Sequence, residues 1–180
     1  EPMAVALCTA RATELLGRRP EHISVLLSAN ILKNAMGVGI PGTGMIGLPI
    51  AIALGALIGK SEYQLEVIKD LTPDTLEAGK TFISENRIDV KLKEGITEKL
   101  YIEITCEAEG HRATAIISCA HTNIVFEEKD GKVLLDKMQP STATEEKTPL
   151  CLSLKRVWEF ATTSPVDEIE FILEAKRYNI

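Results

Sequence analysis

Residues 33–60 read KNAMGVGIPGTGMIGLPIAIALGALIGK, and this stretch decides the fold that we predict for the chain. No charged residue stands between its two lysines, and glycine recurs through it. A helix meant only for burial is built from Leu, Ile and Ala, whereas repeated glycine indicates a backbone that turns sharply or approaches another group closely. We therefore expect a glycine-rich loop that leads into an apolar helix beginning near Gly44.

Two interpretations of this stretch lose support from its context. The uncharged run is long enough to cross a bilayer, but Pro41, Pro49 and the clustered glycines divide it into a loop and a helix of about a dozen residues, closer to a buried helix. Residues 42–47, GTGMIG, match the dinucleotide fingerprint G-x-G-x-x-G. The fingerprint also needs a second strand that ends in an acidic residue. Glu62 is at the right distance from the glycines, but the sequence that follows is helical.

Two further interpretations remain open. In the first, the N–H groups of the glycine turn and the positive end of the following helix dipole bind an anion, such as the carboxylate of a small substrate. In the second, the glycines only allow the helix to pack closely on a sheet. The spacing of the glycines does not choose between them.

The composition is that of a soluble globular protein. The chain has 180 residues, of which 45% are hydrophobic and 26% charged, and this length fits one domain. There are 26 acidic and 20 basic residues, so the net charge of −6 offers no basic surface for nucleic acid or an anionic membrane. The first residues lack a signal-peptide pattern, and we therefore expect a reducing cytoplasm.

The four cysteines, Cys8, Cys106, Cys119 and Cys151, lie far apart and include no C-x-x-C pair. This spacing is typical of neither a zinc ribbon nor a disulfide framework. We expect Cys106 and Cys119, which lie in strand-like segments, to be buried as small apolar side chains.

Hydrophobic periodicity predicts helices alternating with strands in the first half of the chain. It predicts a helix over residues 1–18, a strand over 22–28 that is buried on both faces, and helices over 63–71 and 73–85. From Ile88 the period becomes two, as expected for strands.

The sequence pattern of the second half of the chain predicts a sheet followed by a helical tail. Glu109-Gly110 and Asp130-Gly131 are hairpin turns between strand-like runs. We therefore predict an α/β fold, with a mixed or antiparallel sheet of about five or six strands covered by helices. In a single domain over residues 1–180, the sheet and glycine loop occupy 1–137, a loop 138–148 and a helical tail 149–180, with helices over 152–162 and 166–178.

Residues 120–123, AHTN, interrupt a strand that resumes at Ile124. A polar break within a sheet is a place where side chains can face a ligand. The alternative is a β-bulge with a hydrogen-bonded histidine.

Three segments together resemble a known family. The opening EP, the segment SANILKNAMGVGIPGTGMIGLPIAIALGAL and the later HTNIV are similar to the amino-terminal half of the L-cysteine desulfidases, relatives of the bacterial iron–sulfur L-serine dehydratases. That family has Gly-Cys-Thr-Glu-Pro, then N-x-x-K-N-x-x-G-V-x-x-P-G-T-G-M-x-G-L-P, then G-H-T-N-I-V. The matching positions here are Asn30, Lys33, Asn34, Gly37, Val38 and residues 41–45, 47–49 and 121–125, with Ala120 in place of the glycine.

The resemblance implies a [4Fe-4S] lyase that removes hydrogen sulfide from L-cysteine, or water from L-serine, and leaves pyruvate and ammonia. It implies that the cluster acts as a Lewis acid, held by the cysteine before Glu-Pro and by cysteines of a larger carboxy-terminal domain. We therefore expect this chain to be an amino-terminal fragment that lacks the catalytic domain, holds no cluster and is inactive alone. None of its four cysteines corresponds to a cluster ligand of that family.

The resemblance also implies a cleft where the missing domain docks and where the carboxylate or ammonium group of a small amino acid is recognised. The predicted substrate-binding residues are Glu1, Asn30, Lys33, Asn34, Gly42, Thr43, Gly44, His121, Thr122 and Asn123. No catalytic base or metal ligand is assigned within this chain. The expected partners are the amino acid and the missing domain, with a second copy of the chain as a further candidate; neither nucleic acid nor membrane is expected.

Two alternatives to a lyase domain follow from the same residues. One is a non-enzymatic or regulatory domain that binds a small amino acid, by analogy with the more distant serine dehydratases. The other is a structural dimerisation domain that uses the apolar faces of its terminal helices.

Overall fold

The computed structural model of the chain describes residues 1–138 and 153–173. It divides into two compact units, Glu1–Met138 and Gln139–Ile180, which are described separately. The first unit contains helices α1 (Pro2–Leu16), α2 (Ala29–Ala35), α3 (Leu48–Ile58) and α4 (Pro73–Ser84), and strands β1 (His22–Leu27), β2 (Ile88–Leu92), β3 (Tyr101–Ala108), β4 (His111–Ser118), β5 (Ile124–Lys129) and β6 (Lys132–Asp136).

The strands of this unit form one mixed sheet in the order β2-β1-β3-β4-β5-β6. β1 and β2 are parallel and joined by the long crossover that contains α2, α3 and α4, whereas every other neighbouring pair is antiparallel. The prediction of an α/β fold, with a mixed or antiparallel sheet of about five or six strands covered by helices, is confirmed: in the described residues the sheet is mixed and has six strands.

The core lies between the sheet and the helices. On this face β3 contributes Ile102, Ile104, Cys106 and Ala108, all buried. α3 is apolar on every side and almost wholly buried, as expected for a helix that packs between α1 and α4. Burying these side chains provides most of the free energy of folding.

The opposite face of the sheet is more polar. Thr105 and Thr114 lie side by side on it, with their hydroxyl oxygens 3.0 Å apart. Beside them Tyr101, Ile116 and Val125 form a small apolar cluster. β1 alternates between half-buried and buried positions, so the prediction that this strand is buried on both faces is wrong.

Local signals placed several boundaries correctly. Thr72 caps α4, since its hydroxyl accepts a hydrogen bond from the Thr75 N–H at 3.2 Å. The Asp130-Gly131 turn joins β5 to β6 as predicted, although the register shifts between Glu127 and Glu128. The region predicted as one helix over residues 63–71 instead contains a 3-10 helix, Ser61–Glu66, which is interrupted at Gln64 by a positive φ of 53°.

The described part of the second unit is helical. α5 (Leu154–Thr163) begins at the Ser153 cap and is followed by α6 (Val166–Ile169) and a 3-10 helix, Glu170–Leu173. Trp158 is 71% exposed and Phe160 is 61% exposed. Most of the loop predicted over residues 138–148 and the last turns of the helix predicted over 166–178 lie outside the described residues, as does Cys151.

Candidate functional site

The candidate site lies at one end of the sheet, where β1, β2 and β4 finish and β3 and β5 start. The register fixes this arrangement, because Leu27 at the end of β1 is opposite Ile102, and Tyr101 is opposite Ser118. We call this end of the sheet, marked by Leu27, Tyr101 and Ser118, the candidate end. In open α/β sheets, ligands commonly bind beyond the carboxyl ends of the parallel strands, which is where this end lies.

Two long helices begin at the candidate end. α1 runs along the sheet from Cys8, which lies against the carbonyl of Ala115, to Leu16, whose carbonyl accepts a hydrogen bond from Lys129 at the far end of β5. This direction places Glu1 beyond the start of β5. α3 is parallel to α1, because Gly55 lies against Ala6 and Gly59 against Ala10. The positive ends of both helix dipoles therefore point toward the candidate end.

The structure brings together two predicted residues that are far apart in sequence. Asn34 Nδ2 donates a hydrogen bond to Glu1 Oε1 at 3.4 Å. Asn30 lies one helical turn before Asn34 on the same side of α2, and Lys33 is also exposed. The Glu1 carboxylate and the Asn34 amide are thus in contact at the start of α1, and Asn30 and Lys33 are exposed on the same short helix.

The glycine loop is a small hairpin. Gly39 and Ile46 form a β-bridge, and the Ile40 N–H donates to the carbonyl of Met45 at 2.9 Å. Gly42 and Gly44 occupy the turn with φ of 75° and 64°, a region that favours glycine. The apolar helix begins only at Leu48, so the prediction that it starts near Gly44 is wrong.

The side chain of Thr43 has a structural role in this hairpin. Its hydroxyl donates to the carbonyl of Ile40 at 2.8 Å and accepts from the Met45 N–H at 3.0 Å. Thr43 is buried, whereas Gly42 and Gly44 on either side of it are exposed. A ligand can therefore reach the backbone at these two glycines, whereas the Thr43 hydroxyl is already paired.

The fingerprint interpretation of residues 42–47 also fails in the structure. The segment follows α2 and a hairpin, not a strand, and α3 leads to the 3-10 helix and α4 before the chain reaches β2. A dinucleotide fingerprint needs a strand immediately before its glycines and another after its helix.

His121 and Thr122 lie in a tight turn that joins β4 to β5 at the candidate end. The Asn123 N–H donates to the carbonyl of Ala120 at 3.1 Å, and Asn123 Nδ2 donates to the carbonyl of Ser118 at 2.9 Å. The segment is thus a connection between two antiparallel strands and not the interruption within a strand that we predicted. Within the described residues, no hydrogen bond links this turn to Glu1 or Asn34, although all of them lie at the candidate end.

A cavity of about 430 Å³ at this end includes residues that the sequence did not indicate. Asn30 lines it together with Ser28 and the loop between β2 and β3, including Lys93, Glu94 and Lys99. Ser28 holds that loop, since its Oγ donates to the carbonyl of Lys99 at 2.8 Å. The only signal for this loop in the sequence is the charged run KLKEGITEK, residues 91–99. Its position beside Asn30 could not be predicted, because it depends on the path of the crossover between β1 and β2.

A second cavity, of about 560 Å³, lies behind the glycine hairpin. Its walls are mostly apolar and include Met3, Pro41, Gly42, Leu71 and Leu76. An apolar lining does not suit a zwitterionic amino acid, so we do not place the candidate substrate site there.

The described cysteines do not fit an iron–sulfur cluster. Cys8 and Cys106 are in the core, where burial raises the pKa of each thiol, that of Cys106 to about 12, whereas a cluster needs thiolates. Cys119, predicted to be buried, is exposed beside the His121 turn. Within residues 1–138 and 153–173, no group of three or more His, Cys, Asp or Glu side chains is placed to hold a metal ion.

The fold and the site define an α/β domain with polar groups gathered at the carboxyl end of its parallel strand pair. No family model matches the chain, and the comparison with solved structures gives no significant match. Within the described residues, no helix is both long and apolar enough to cross a membrane.

Among curated proteins, the chain is similar to several that are named UPF0597 protein. That of Phocaeicola vulgatus is 65% identical and that of Bacteroides fragilis 66% identical, each over 179 residues that cover 99% of this chain and 42% of the relative. That of Aeromonas hydrophila is 42% identical over 184 residues, which cover 41% of its length. The chain therefore spans less than half the length of these relatives, and their name specifies neither a reaction nor a ligand.

Proposed function

We propose that this chain is the amino-terminal, substrate-recognising domain of a lyase that eliminates hydrogen sulfide from L-cysteine, or water from L-serine, to give pyruvate and ammonia. The observation that carries the proposal is the contact between Glu1 and Asn34. These residues belong to two of the segments that resemble the desulfidases, and the third segment, with His121, lies at the same end of the sheet. The greater length of the UPF0597 relatives leaves room for a further domain.

The residues at the candidate end suit the two charged groups of an amino acid. The Glu1 carboxylate is a partner for the substrate ammonium group, since Asn34 occupies only one of its acceptor positions. The exposed side chain of Lys33, the exposed backbone at Gly42 and Gly44 and the two helix dipoles favour the substrate carboxylate. His121 is exposed in the turn between β4 and β5 and would contact the bound molecule from the other side.

The role of this chain in that reaction is recognition. Because its described cysteines do not fit a [4Fe-4S] cluster, the cluster and the elimination chemistry are assigned to the rest of the longer protein. The free thiols of Cys8, Cys106 and Cys119 agree with a reducing cytoplasm as its location.

A second candidate function is an amino-acid-binding domain without catalysis. The observation that favours it is that the proposed recognition groups, including Glu1 and Asn34, all lie within this chain. A sensor of this kind binds its amino acid as the isolated chain.

The decisive experiment uses the full-length protein, reconstituted anaerobically with iron and sulfide. Sulfide and pyruvate release from L-cysteine and L-serine are measured for the wild type, for His121→Gln and for His111→Gln. His111 is the matched control, because it is also an exposed histidine but lies at the opposite end of β4. We expect His121→Gln to lower kcat/KM by roughly tenfold or more and His111→Gln to leave it unchanged.

Calorimetric titration of residues 1–180 with the same two amino acids separates the two functions. Turnover by the full-length protein establishes the lyase. Absence of turnover in a cluster-loaded protein, together with binding by residues 1–180, overturns the lyase in favour of the sensor. Equal kcat/KM for the two histidine variants and the wild type removes His121 from the site.

A further inference from the structure

The outer side of β2 is an unpaired strand edge within the described residues. β2 pairs with β1 alone, in an unbroken parallel register from Ile23 opposite Ile88 to Leu27 opposite Leu92. At the other side of the sheet, β6 carries a register shift against β5. Such a bulge disrupts the regular row of donors and acceptors that a further strand needs, and β2 has none.

The hydrogen bonds to β1 show which backbone groups of β2 point outward. The Ile23 N–H donates to the carbonyl of Arg87, and the Lys93 N–H donates to the carbonyl of Leu27, both at 2.8 Å. The backbone N–H and C=O groups of successive residues in a strand point to opposite edges. Those of the odd-numbered residues 87–93 therefore face β1. The N–H and C=O groups of Ile88, Val90 and Leu92 therefore face outward.

The side chains of β2 are sorted between the two faces of the sheet. Ile88 and Val90 pack against the core on the helix face, and Leu92, in line with them, is 46% exposed. Asp89 and Lys91 lie on the other face, where they form an ion pair. The strand thus has one apolar side, one charged side and a free backbone edge.

We propose that two copies of this chain pair through β2, antiparallel and about a two-fold axis at Val90. In this register Ile88 of each copy lies opposite Leu92 of the other, and the outward backbone groups meet as hydrogen-bonded pairs. Opposite residues share a face of the sheet, so Asp89 of each copy meets Lys91 of the other on the charged side. The two sheets become one continuous sheet through both copies.

Within β2, the charges at residues 89 and 91 favour this register over its neighbours. Moving the axis to residue 89 places the two Asp89 carboxylates opposite each other, and moving it to residue 91 does the same with the two Lys91 ammonium groups. Like charges directly opposite each other destabilise a strand pair. Of these three registers, the axis at Val90 is the one in which residues 89 and 91 meet no like charge. The flanking Arg87 and Lys93 also face each other across this axis, but each already has a carboxylate partner, Glu85 and Glu103 respectively.

The first test is charge reversal followed by mixing, with the oligomeric state measured by sedimentation equilibrium. A five-residue strand pair is a small interface, so protein concentrations on the order of 100 µM are needed. Asp89→Lys alone and Lys91→Asp alone each place like charges opposite each other and should weaken the dimer by roughly tenfold or more. An equal mixture of the two variants should form a heterodimer as tight as the wild-type dimer, because every charge at residues 89 and 91 then has an opposite partner.

The second test uses proline at the same edge. Val90→Pro removes an outward N–H without breaking a bond to β1, so it should give a folded monomer. A wild-type chain that is monomeric at this concentration overturns the proposal, and so does a dimer that neither the charge variants nor Val90→Pro weakens. If Val90→Pro fails to fold, the mixing experiment decides alone, and single variants that do not recover on mixing count against the interface.

Discussion

Gly55 of α3 and Ala6 of α1 bring the two helix backbones into direct contact. A β-carbon at residue 55 would stand 2.6 Å from the carbonyl oxygen of Ala6, closer than any side chain tolerates. α1 and α3 can therefore lie side by side and both begin at the candidate end. The close approach of backbone that repeated glycine indicates is therefore found at Gly55, where the neighbouring surface is a helix and not the predicted sheet.

Gly55→Ala should destabilise the protein. Alanine is the better helix former, but the added methyl group forces α3 away from α1, and overpacking of this kind costs about 1–3 kcal/mol. Urea unfolding of the variant measures the change in the free energy of unfolding. Gly37→Ala is the control, since a β-carbon there meets nothing within 4 Å, and an equal loss in both variants would contradict the helix contact.

Arg11 and Glu127 should be strongly coupled. Arg11 Nε and a terminal nitrogen donate to the two carboxylate oxygens of Glu127 at 2.7 and 2.9 Å, and Glu127 is only 8% exposed. Arg11→Met leaves that carboxylate buried without its partner, for a loss of about 2 kcal/mol. The double variant Arg11→Met with Glu127→Leu should be more stable than Arg11→Met alone, and additive losses in a double-mutant cycle would show that the pair is not coupled.

Thr43→Val should loosen the glycine hairpin. The variant loses the hydroxyl that joins Ile40 to Met45, at a cost of about 1–2 kcal/mol. Hydrogen exchange at the Met45 amide should become faster in Thr43→Val and remain slow in Thr43→Ser, which keeps the hydroxyl. Unchanged protection in Thr43→Val would mean that the hydroxyl does not hold the turn.

Asp130 should titrate below the usual range for an aspartate. The Arg112 N–H, donating at 2.9 Å, and then the His111 ring lower the pKa of its carboxyl group in the folded protein. The ionised form therefore stabilises the fold above the pKa of the unfolded chain, and this contribution is lost as the pH falls through the folded-state pKa. Carbon-13 NMR titration measures the pKa of Asp130. In His111→Gln this pKa should rise only part of the way to its usual value, because the Arg112 N–H still donates to the carboxyl group.

The described thiols should differ sharply in reactivity. Cys8 donates to the carbonyl of Ala115, and burial raises the pKa of Cys8 and Cys106, whereas Cys119 is exposed. Brief treatment of the native protein with N-ethylmaleimide, followed by peptide mass spectrometry, should find Cys119 modified and the other two unmodified. All three should react in denaturant, and labelling of Cys8 in the native protein would contradict its burial.

The sequence predicted the features that depend on neighbouring residues. The Thr72 cap and the Asp130-Gly131 turn each need only a few adjacent residues, and both are present. The start of α3 was misplaced because glycines that open a helix and glycines that close a hairpin have the same composition. Cys119 was expected inside because it continues the apolar run of β4, but the chain turns there with a φ of 69°.

The candidate site was less accessible to sequence reasoning. The proximity of Glu1 to Asn34 follows from the way α1 packs on the sheet, and no local pattern encodes it. The loop beside Asn30 was missed for the same reason. The resemblance named the residues of the site, and tertiary packing determined which of them are brought into contact.

The crossover between β1 and β2 has a consequence for how the protein folds. Strands β3 to β6 are joined by short turns and can pair early, whereas β2 must close a loop over residues 28–87 before it meets β1. Asn30 and the glycine hairpin lie inside that loop, and His121 lies in the early meander. Ligand binding at the candidate end should therefore develop only with the slowest step of refolding, after most of the sheet has formed.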